Sequence, residues 1–215
     1  MSKYLKYKKR VFILVGIVAI LITEPWWPSA IGFLLYFFGG SLSSLSILIL
    51  ANVFIPLSLI IWFTAFTDLL YKDKQKIILL ILIIYGILFE IFFFSFLLIN
   101  PTIIGEVGEN LDVDYGLFIL LNQAGLLVVI LASGTIFARE SFKSDDPEIR
   151  LKGKLLLVAF YSFLVGAVLD IASQASILIL IIARFILIIA AISFYGGFIL
   201  PNWMKKLFLK SNENR

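Results

Sequence analysis

The chain contains no histidine and no cysteine among its 215 residues. Without these side chains it cannot form disulfides, haem or iron–sulfur ligation, Cys/His zinc sites, thiol nucleophiles or Ser-His-Asp triads. Charged residues are also scarce, at 15% of the sequence, whereas a soluble domain typically has about 25%. These absences exclude most familiar catalytic sites. We therefore expect no enzymatic activity, no cofactor and no metal centre.

Apolar residues are correspondingly abundant, at 61% of the chain, with a mean hydropathy of +1.06. A soluble domain is typically only about 45–50% apolar. Seven apolar stretches are each long enough, or nearly so, to cross about 30 Å of hydrocarbon as a helix rising about 1.5 Å per residue. They cover residues 11–23, 31–51, 53–71, 77–99, 116–138, 155–173 and 176–200. None alternates apolar and polar residues as barrel strands do, so the sequence predicts an all-α, polytopic transmembrane helical bundle.

We expect one transmembrane bundle domain over residues 11–200, with a basic segment at 1–10 and a basic cytoplasmic tail at 201–215. The first apolar stretch ends in Glu24-Pro25-Trp26-Trp27-Pro28, a rigid aromatic corner suited to the headgroup level. No A-x-A-like cleavage site follows that stretch, so we expect it to be retained rather than removed as a signal peptide. This composition is typical of a multi-pass protein of the cell membrane.

Basic residues indicate which loops face the cytoplasm. Residues 72–76 contain three lysines, residues 139–154 contain five basic side chains, and the tail from Lys205 contains four. Residues 100–115 contain four acidic side chains and no basic one. The last four spans therefore alternate, and the C-terminus is predicted to be cytoplasmic.

The front half of the chain leaves two span counts open. Five basic residues precede Val11, and a cytoplasmic N-terminus requires an even number of spans before Lys72, whereas hydropathy offers three. Six spans would put 17 basic residues inside and none outside, and seven would put 12 inside and five outside. Seven spans are favoured because residues 31–50 form a full-length apolar stretch by themselves.

Three ionisable side chains stand out within the apolar stretches, namely Glu90, Asp170 and Arg184. Charge inside a bilayer is energetically costly, so each is a candidate functional residue. Counting about 1.5 Å per residue from the outer loops places Glu90 and Arg184 about 12–14 Å deep, with Asp170 nearer the surface. Asn122 and Gln123 lie at a similar depth. Together these five side chains predict a polar layer in the outer half of the bundle.

The Asp170 and Arg184 pair has two interpretations. It is either a salt bridge that holds the last helical hairpin together, or part of a ligand or ion site that distinguishes two conformations. An isolated charge costs about 2.5–3.5 kcal/mol on insertion scales, so pairing is expected in both cases. Glu90 has no evident partner within its own hairpin.

Two loops carry further signals. The acidic run from Glu106 to Asp114 lacks the EF-hand pattern and is expected to be a solvated loop. Residues 144–148 predict a helix start, because the aspartates can cap free N–H groups and Pro147 fits the first turn. The basic residues at 150, 152 and 154 would then lie at the inner membrane surface and suit anionic lipid. Small residues at 39/43, 40/44 and 193/197 have the spacing that lets membrane helices pack closely.

Two boundary segments, FARESFKSDDPEIRLKGK at 137–154 and FILPNWMKK at 198–206, carry a resemblance. Over about residues 53–209 the sequence resembles uncharacterised multi-pass archaeal membrane proteins, which are similar to the seven-helix membrane modules of prokaryotic sensor histidine kinases. The resemblance implies seven spans, an outside N-terminus and an inside C-terminus. The sequence has no kinase or PAS domain, so a receptor of this kind would act through a separate partner.

Three functions remain open. The first, which the resemblance favours, is a receptor- or sensor-like module that binds a small or lipidic ligand and acts on a cytoplasmic signalling partner or a second copy of the chain. The second is a transporter or channel subunit with a polar pathway, although the two halves show none of the internal similarity that would support transport. The third is a structural subunit of a membrane complex. The lipid bilayer is the expected partner in each case, and nucleic acid is not.

Overall fold

The computed structural model describes residues 10–108, 113–172 and 176–209. The helices are α1 Val11–Leu21, α2 Trp27–Phe37, α3 Ser44–Leu50, α4 Ile55–Leu70, α5 Gln75–Ile99, α6 Leu117–Phe142, α7 Pro147–Ala172, α8 Ile177–Ile199 and α9 Asn202–Phe208. Two short antiparallel strands, β1 Gly105–Val107 and β2 Val113–Tyr115, lie between α5 and α6. The predicted all-α membrane bundle is confirmed, with one small hairpin added.

Within the described ranges, six segments are long and apolar enough to cross a membrane. Two of them consist of paired shorter helices: α1 and α2 make up Val11–Phe37, and α3 and α4 make up Ser44–Leu70. The other four are Lys72–Ile99, Leu117–Phe142, Pro147–Ala172 and Ile177–Ile199. The chain is thus a multi-pass membrane protein, and the favoured count of seven spans is corrected to six.

The correction follows from a turn that divides the apolar stretch 31–51. Gly39 has a φ of +69°, which glycine adopts without steric cost, and the N–H of Gly40 donates to the carbonyl of Leu35 at 3.0 Å. Ser43 then caps α3 by accepting a hydrogen bond from the N–H of Ser46 at 3.2 Å. The small residues at 39/43 and 40/44 therefore end one helix and begin the next. The close-packed helix face that was predicted there is absent.

Ion pairs form where the first span begins and the second span ends. They explain why the basic residues before Val11 favour an even number of spans before Lys72, although hydropathy offers three. Asp68, near the end of α4, accepts hydrogen bonds from Arg10 and Lys72, each with a contact at 2.5 Å. The hydrogen bond to Asp68 raises the pKa of the Arg10 guanidinium. Gln75 also donates to Asp68, at 2.9 Å. The start of the first span and the end of the second therefore lie together, as an even number of spans requires.

Internal contacts divide the chain into two units, with the boundary between Leu126 and Leu127 inside α6. The first unit contains α1 to α5, the hairpin and the beginning of α6, and the second contains the remainder of α6 with α7 to α9. The expectation of a single domain over residues 11–200 stays a prediction.

The core of the first unit lies beneath the hairpin. Phe93 is fully buried, and the ring of Phe89 stacks on Phe93 and Phe118 at centroid distances of 5.8 and 5.6 Å. The apolar side chains of the hairpin pack against this cluster, together with buried residues of α3, α5 and α6. Burial of apolar surface thus holds the strands in place.

The acidic run is consequently a hairpin where it is described, rather than a loop throughout. Glu106 and Asp114 are exposed and lie opposite each other across the two strands. A Cβ at Gly116 would come within 2.1 Å of the carbonyl oxygen of Ile103, so glycine is required beside the hairpin. Like charges in opposite positions destabilise a strand pair, so the packing of the other face outweighs this repulsion. Glu109 and Asp112 lie outside the described residues.

In the second unit, α7 and α8 form a closely packed pair. A Cβ at Gly197 would lie 2.5 Å from Cγ of Leu156, and Ser193 is also buried. This contact confirms the packing role predicted for residues 193 and 197. The predicted helix start is confirmed too, because the N–H of Glu148 donates to the side chain of Asp146 at 2.8 Å.

Candidate functional site

Each of the two divided spans breaks next to a fully buried polar side chain. Glu24 begins a short 3-10 turn between α1 and α2, and Asn52 lies in the turn between α3 and α4; both are 0% exposed. Proline accompanies both breaks: Pro25 lies in the 3-10 turn, and Pro56 lies in the first turn of α4. Proline lacks a backbone donor, so it fits a helix start and disfavours continuation of the preceding helix.

Glu24 connects the two breaks. Its Oε1 accepts a hydrogen bond from the backbone N–H of Phe54 at 2.6 Å, and the rings of Trp27 and Phe54 lie 5.8 Å apart. Phe54 is the N-cap residue of α4. At a helix N-terminus, unpaired N–H groups and the helix dipole favour a negative charge. The second oxygen of Glu24, Oε2, is buried and has no hydrogen-bond partner among the described residues.

The expectation that Glu24 belongs to a corner at the headgroup level stays a prediction, and the structure adds that the corner lies midway along a candidate span. Glu24 lies 13 residues from either end of the span Val11–Phe37. The residues that suggested an interfacial corner form the break between α1 and α2 within the segment Val11–Phe37, which is long and apolar enough to cross a membrane. Prolines and tryptophans are compatible with both arrangements, so the local sequence alone does not distinguish them.

Glu90 approaches the same place from α5. A Cβ at Gly86 would lie 3.2 Å from Cβ of Pro56, so α5 passes close to the first turn of α4. Glu90 lies one helical turn beyond Gly86 on the same side of α5. It is half-buried and within electrostatic range of Glu24. Its Oε2 is also buried and has no hydrogen-bond partner in the described chain.

Of the two predicted amides on α6, Asn122 extends this group. Asn122 accepts a hydrogen bond from the hydroxyl of Tyr85 at 2.5 Å, and Tyr85 interacts electrostatically with Glu90. The side-chain nitrogens of Asn122 and Gln123 are buried and form no hydrogen bond to a described residue. Tyr85 was not predicted as a site residue, because its contact with Asn122 depends on how α5 and α6 pack and cannot be inferred from its spacing to Glu90.

We call the following group of first-unit residues the acidic site: Glu24, Asn52, Tyr85, Glu90 and Asn122. Four of its buried polar atoms are unpaired within the described residues: Glu24 Oε2, Asn52 Oδ1, Glu90 Oε2 and Asn122 Nδ2. A buried, unsatisfied polar group costs about 1–3 kcal/mol, and such groups in native structures commonly bind water or an ion.

The charge of the acidic site is uncompensated by the described protein. Neither Glu24 nor Glu90 forms an ion pair within residues 10–108, 113–172 and 176–209. Over the same residues, no group of three or more acidic, histidine or cysteine side chains is arranged to hold a metal ion. The unpaired acceptors of the site are therefore one carboxylate oxygen each of Glu24 and Glu90 and the amide oxygen of Asn52, whereas the unpaired nitrogen of Asn122 is a donor.

The other two predicted residues form a separate contact in the second unit. Nη2 of Arg184, on α8, lies 3.2 Å from Oδ1 of Asp170, on α7. The side chain of Arg184 is 44% exposed and that of Asp170 is 19% exposed. The predicted salt bridge is confirmed, and it links the two helices of the closely packed pair. The five residues of the predicted polar layer thus belong to two units, with Glu90, Asn122 and Gln123 in the first.

Comparisons with protein-family models, curated proteins and solved structures found no match to this chain. The resemblance to the membrane modules of sensor kinases stays a prediction.

Proposed function

We propose that this multi-pass protein is a transporter or channel subunit of the cell membrane, and that a small positively charged species passes through the acidic site of the first unit. One observation carries the proposal: Glu24 is fully buried at the meeting point of two helix breaks, and one of its oxygens has no partner among the described residues.

The charge of the site supports a cation. Each ionised carboxylate within a membrane costs about 2.5–3.5 kcal/mol on insertion scales. Glu24 and Glu90 lack a basic partner in the described chain. Binding of a proton or another cation would therefore offset the free energy of placing these carboxylates in the membrane. Arg10 and Lys72, at the far end of the same spans, are already paired with Asp68.

The helix breaks support transport. Transporters commonly bind substrates and coupling ions where discontinuous helices meet near the middle of the membrane. In this chain, two neighbouring spans are discontinuous, and Glu24 binds the N-terminus of the half-helix α4. A purely structural subunit gains nothing from four buried polar atoms that have no partner in the described part of the chain.

The receptor-like hypothesis uses the same site differently. In that case the acidic site would hold a ligand without releasing it on the other side, and a cytoplasmic signalling partner would read the change. Neither function requires a catalytic group, and we also propose that the protein is not an enzyme. Flux across the membrane separates the two hypotheses.

The test is a flux assay on the purified chain in proteoliposomes, with a pH gradient in one arm and a sodium or potassium gradient in the other. We expect flux of at least one of these cations, and at least a tenfold loss in Glu90→Gln. The matched control is Glu106→Gln, which removes an exposed carboxylate from the hairpin and should leave the flux unchanged. Absence of flux from folded, reconstituted protein, or equal flux in Glu90→Gln, would overturn the proposal.

A further inference from the structure

The short helix α9 follows the last membrane-spanning helix and has two different sides. We propose that α9 lies in the headgroup layer of the membrane, with Trp203 and Leu207 inserted among the lipids and Lys206 bound to anionic lipid headgroups. This inference concerns the second unit and is independent of the proposed transport function.

One side of α9 is fixed to the protein. Leu200 follows the last residue of α8, has a left-handed φ of 46° and is 1% exposed, and the chain then turns at Pro201 into α9. Met204 is 2% exposed and packs with Leu200 and Leu151 in a small apolar cluster. Nζ of Lys205 lies 2.5 Å from a carboxylate oxygen of Glu148, at the start of α7. These contacts hold α9 in one orientation, which a seven-residue helix would not keep alone in water.

The other side of α9 is apolar and uncovered. Trp203 is 57% exposed and Leu207 is 61% exposed, and their spacing of four residues places them on one face. Only Leu200 and Pro201 separate α9 from the end of the membrane-spanning helix at Ile199. An extended residue spans about 3.3–3.6 Å, so α9 begins within about 10 Å of the end of that span. Tryptophan is enriched at this level of a membrane, where its ring contacts lipid and its N–H meets water.

The charge around α9 identifies the occupant of this face as anionic lipid. Residues 145–154 and 201–209 together contain five basic and three acidic side chains. Two of these charges, Lys205 and Glu148, neutralise each other. Lys206 is exposed beside Trp203 and Leu207, and Arg150 and Lys154 are exposed at the start of α7. Positive charge next to an interfacial apolar face is the pattern that binds anionic headgroups.

The absence of cysteine from the sequence permits single-site labelling. A nitroxide at Leu207→Cys, in nanodiscs, should be more accessible to oxygen than to a water-soluble nickel chelate, as expected for a site among lipids. The matched site is Asn202→Cys, about 140° around the same helix, which should show the opposite preference. Equal exposure of both labels to the nickel chelate, or shielding of both labels from both reagents, would overturn the inference.

A second measurement tests the headgroup. A fluorophore at Leu207→Cys should be quenched at least twofold more strongly by nitroxide-labelled phosphatidylglycerol than by equally labelled phosphatidylcholine. Lys206→Gln should remove this preference, whereas Lys143→Gln, which removes a lysine paired with Glu140, should retain it. Equal quenching by the two lipids, or a preference that survives Lys206→Gln, would contradict the binding of anionic headgroups.

Discussion

At the scale of single residues, Glu24 is an ionisable side chain in surroundings where a charge is costly. It is fully buried within a membrane-spanning segment, and a backbone N–H supplies its only hydrogen bond among the described residues. Glu90 could be singled out from the sequence because it interrupts a long apolar run. Glu24 could not, because two prolines and two tryptophans gave it the surroundings of an interfacial corner. Only the pairing of two helix breaks reveals its burial.

Substitutions at Glu24 should separate its structural contact from its charge. Glu24→Gln retains an oxygen for the N–H of Phe54 and removes the ionisable group, so the stability should be equal or higher. Glu24→Ala leaves that N–H unpaired and should lower the free energy of unfolding by about 1–3 kcal/mol. Thermal unfolding in detergent measures both. If Gln and Ala destabilise the protein equally, the hydrogen bond to Phe54 does not stabilise the break.

At the scale of elements, hydropathy predicted the membrane-spanning helices well but not the division of the first two. The stretch 31–51 is apolar throughout, yet Gly39 and Ser43 divide it because one ends α2 and the other caps α3. Both signals were present in the sequence, but small residues at this spacing also suit helix packing, and that interpretation was wrong here. The same spacing at Ser193 and Gly197 does mark a packed face.

The close approach of α7 and α8 should make Gly197 sensitive to substitution. A methyl group in Gly197→Ala would be 2.5 Å from Cγ of Leu156, which should destabilise the protein by about 1–3 kcal/mol. Gly16→Ala is the control, because no atom lies within 4 Å of a Cβ at that helical position. It should be neutral or slightly stabilising. Equal thermal stabilities for the two variants would show that α7 and α8 do not pack as described.

The salt bridge between the same two helices should appear as a coupling energy. Across the cycle of Asp170→Asn, Arg184→Gln and the double variant, we expect coupling above about 0.5 kcal/mol in the free energy of unfolding. Both side chains are partly exposed. Each single variant should therefore lower the free energy of unfolding by less than the value of about 3–5 kcal/mol that is typical of breaking a fully buried pair. Additive effects would mean that the two side chains do not stabilise each other.

At the scale of the whole molecule, six spans agree with the distribution of charge. Seventeen of the 18 basic residues, all except Arg184, then belong to segments predicted to be cytoplasmic. We therefore expect topology reporters fused at Ser2 and after Arg215 to report a cytoplasmic location. A topology reporter inserted between Glu106 and Asp114 should report a location outside. An outside reporter at Ser2 would restore the odd number of spans that the resemblance implies.

The proposed route of the cation through the first unit runs by way of Glu24. The most direct measurement is cation flux in proteoliposomes for Glu24→Gln and Glu24→Asp, at equal amounts of folded, reconstituted protein. Asp retains the charge and Gln retains the size, so flux should be at least tenfold lower in Glu24→Gln and substantially restored in Glu24→Asp. Flux in Glu24→Gln equal to that of the unaltered chain would contradict the claim.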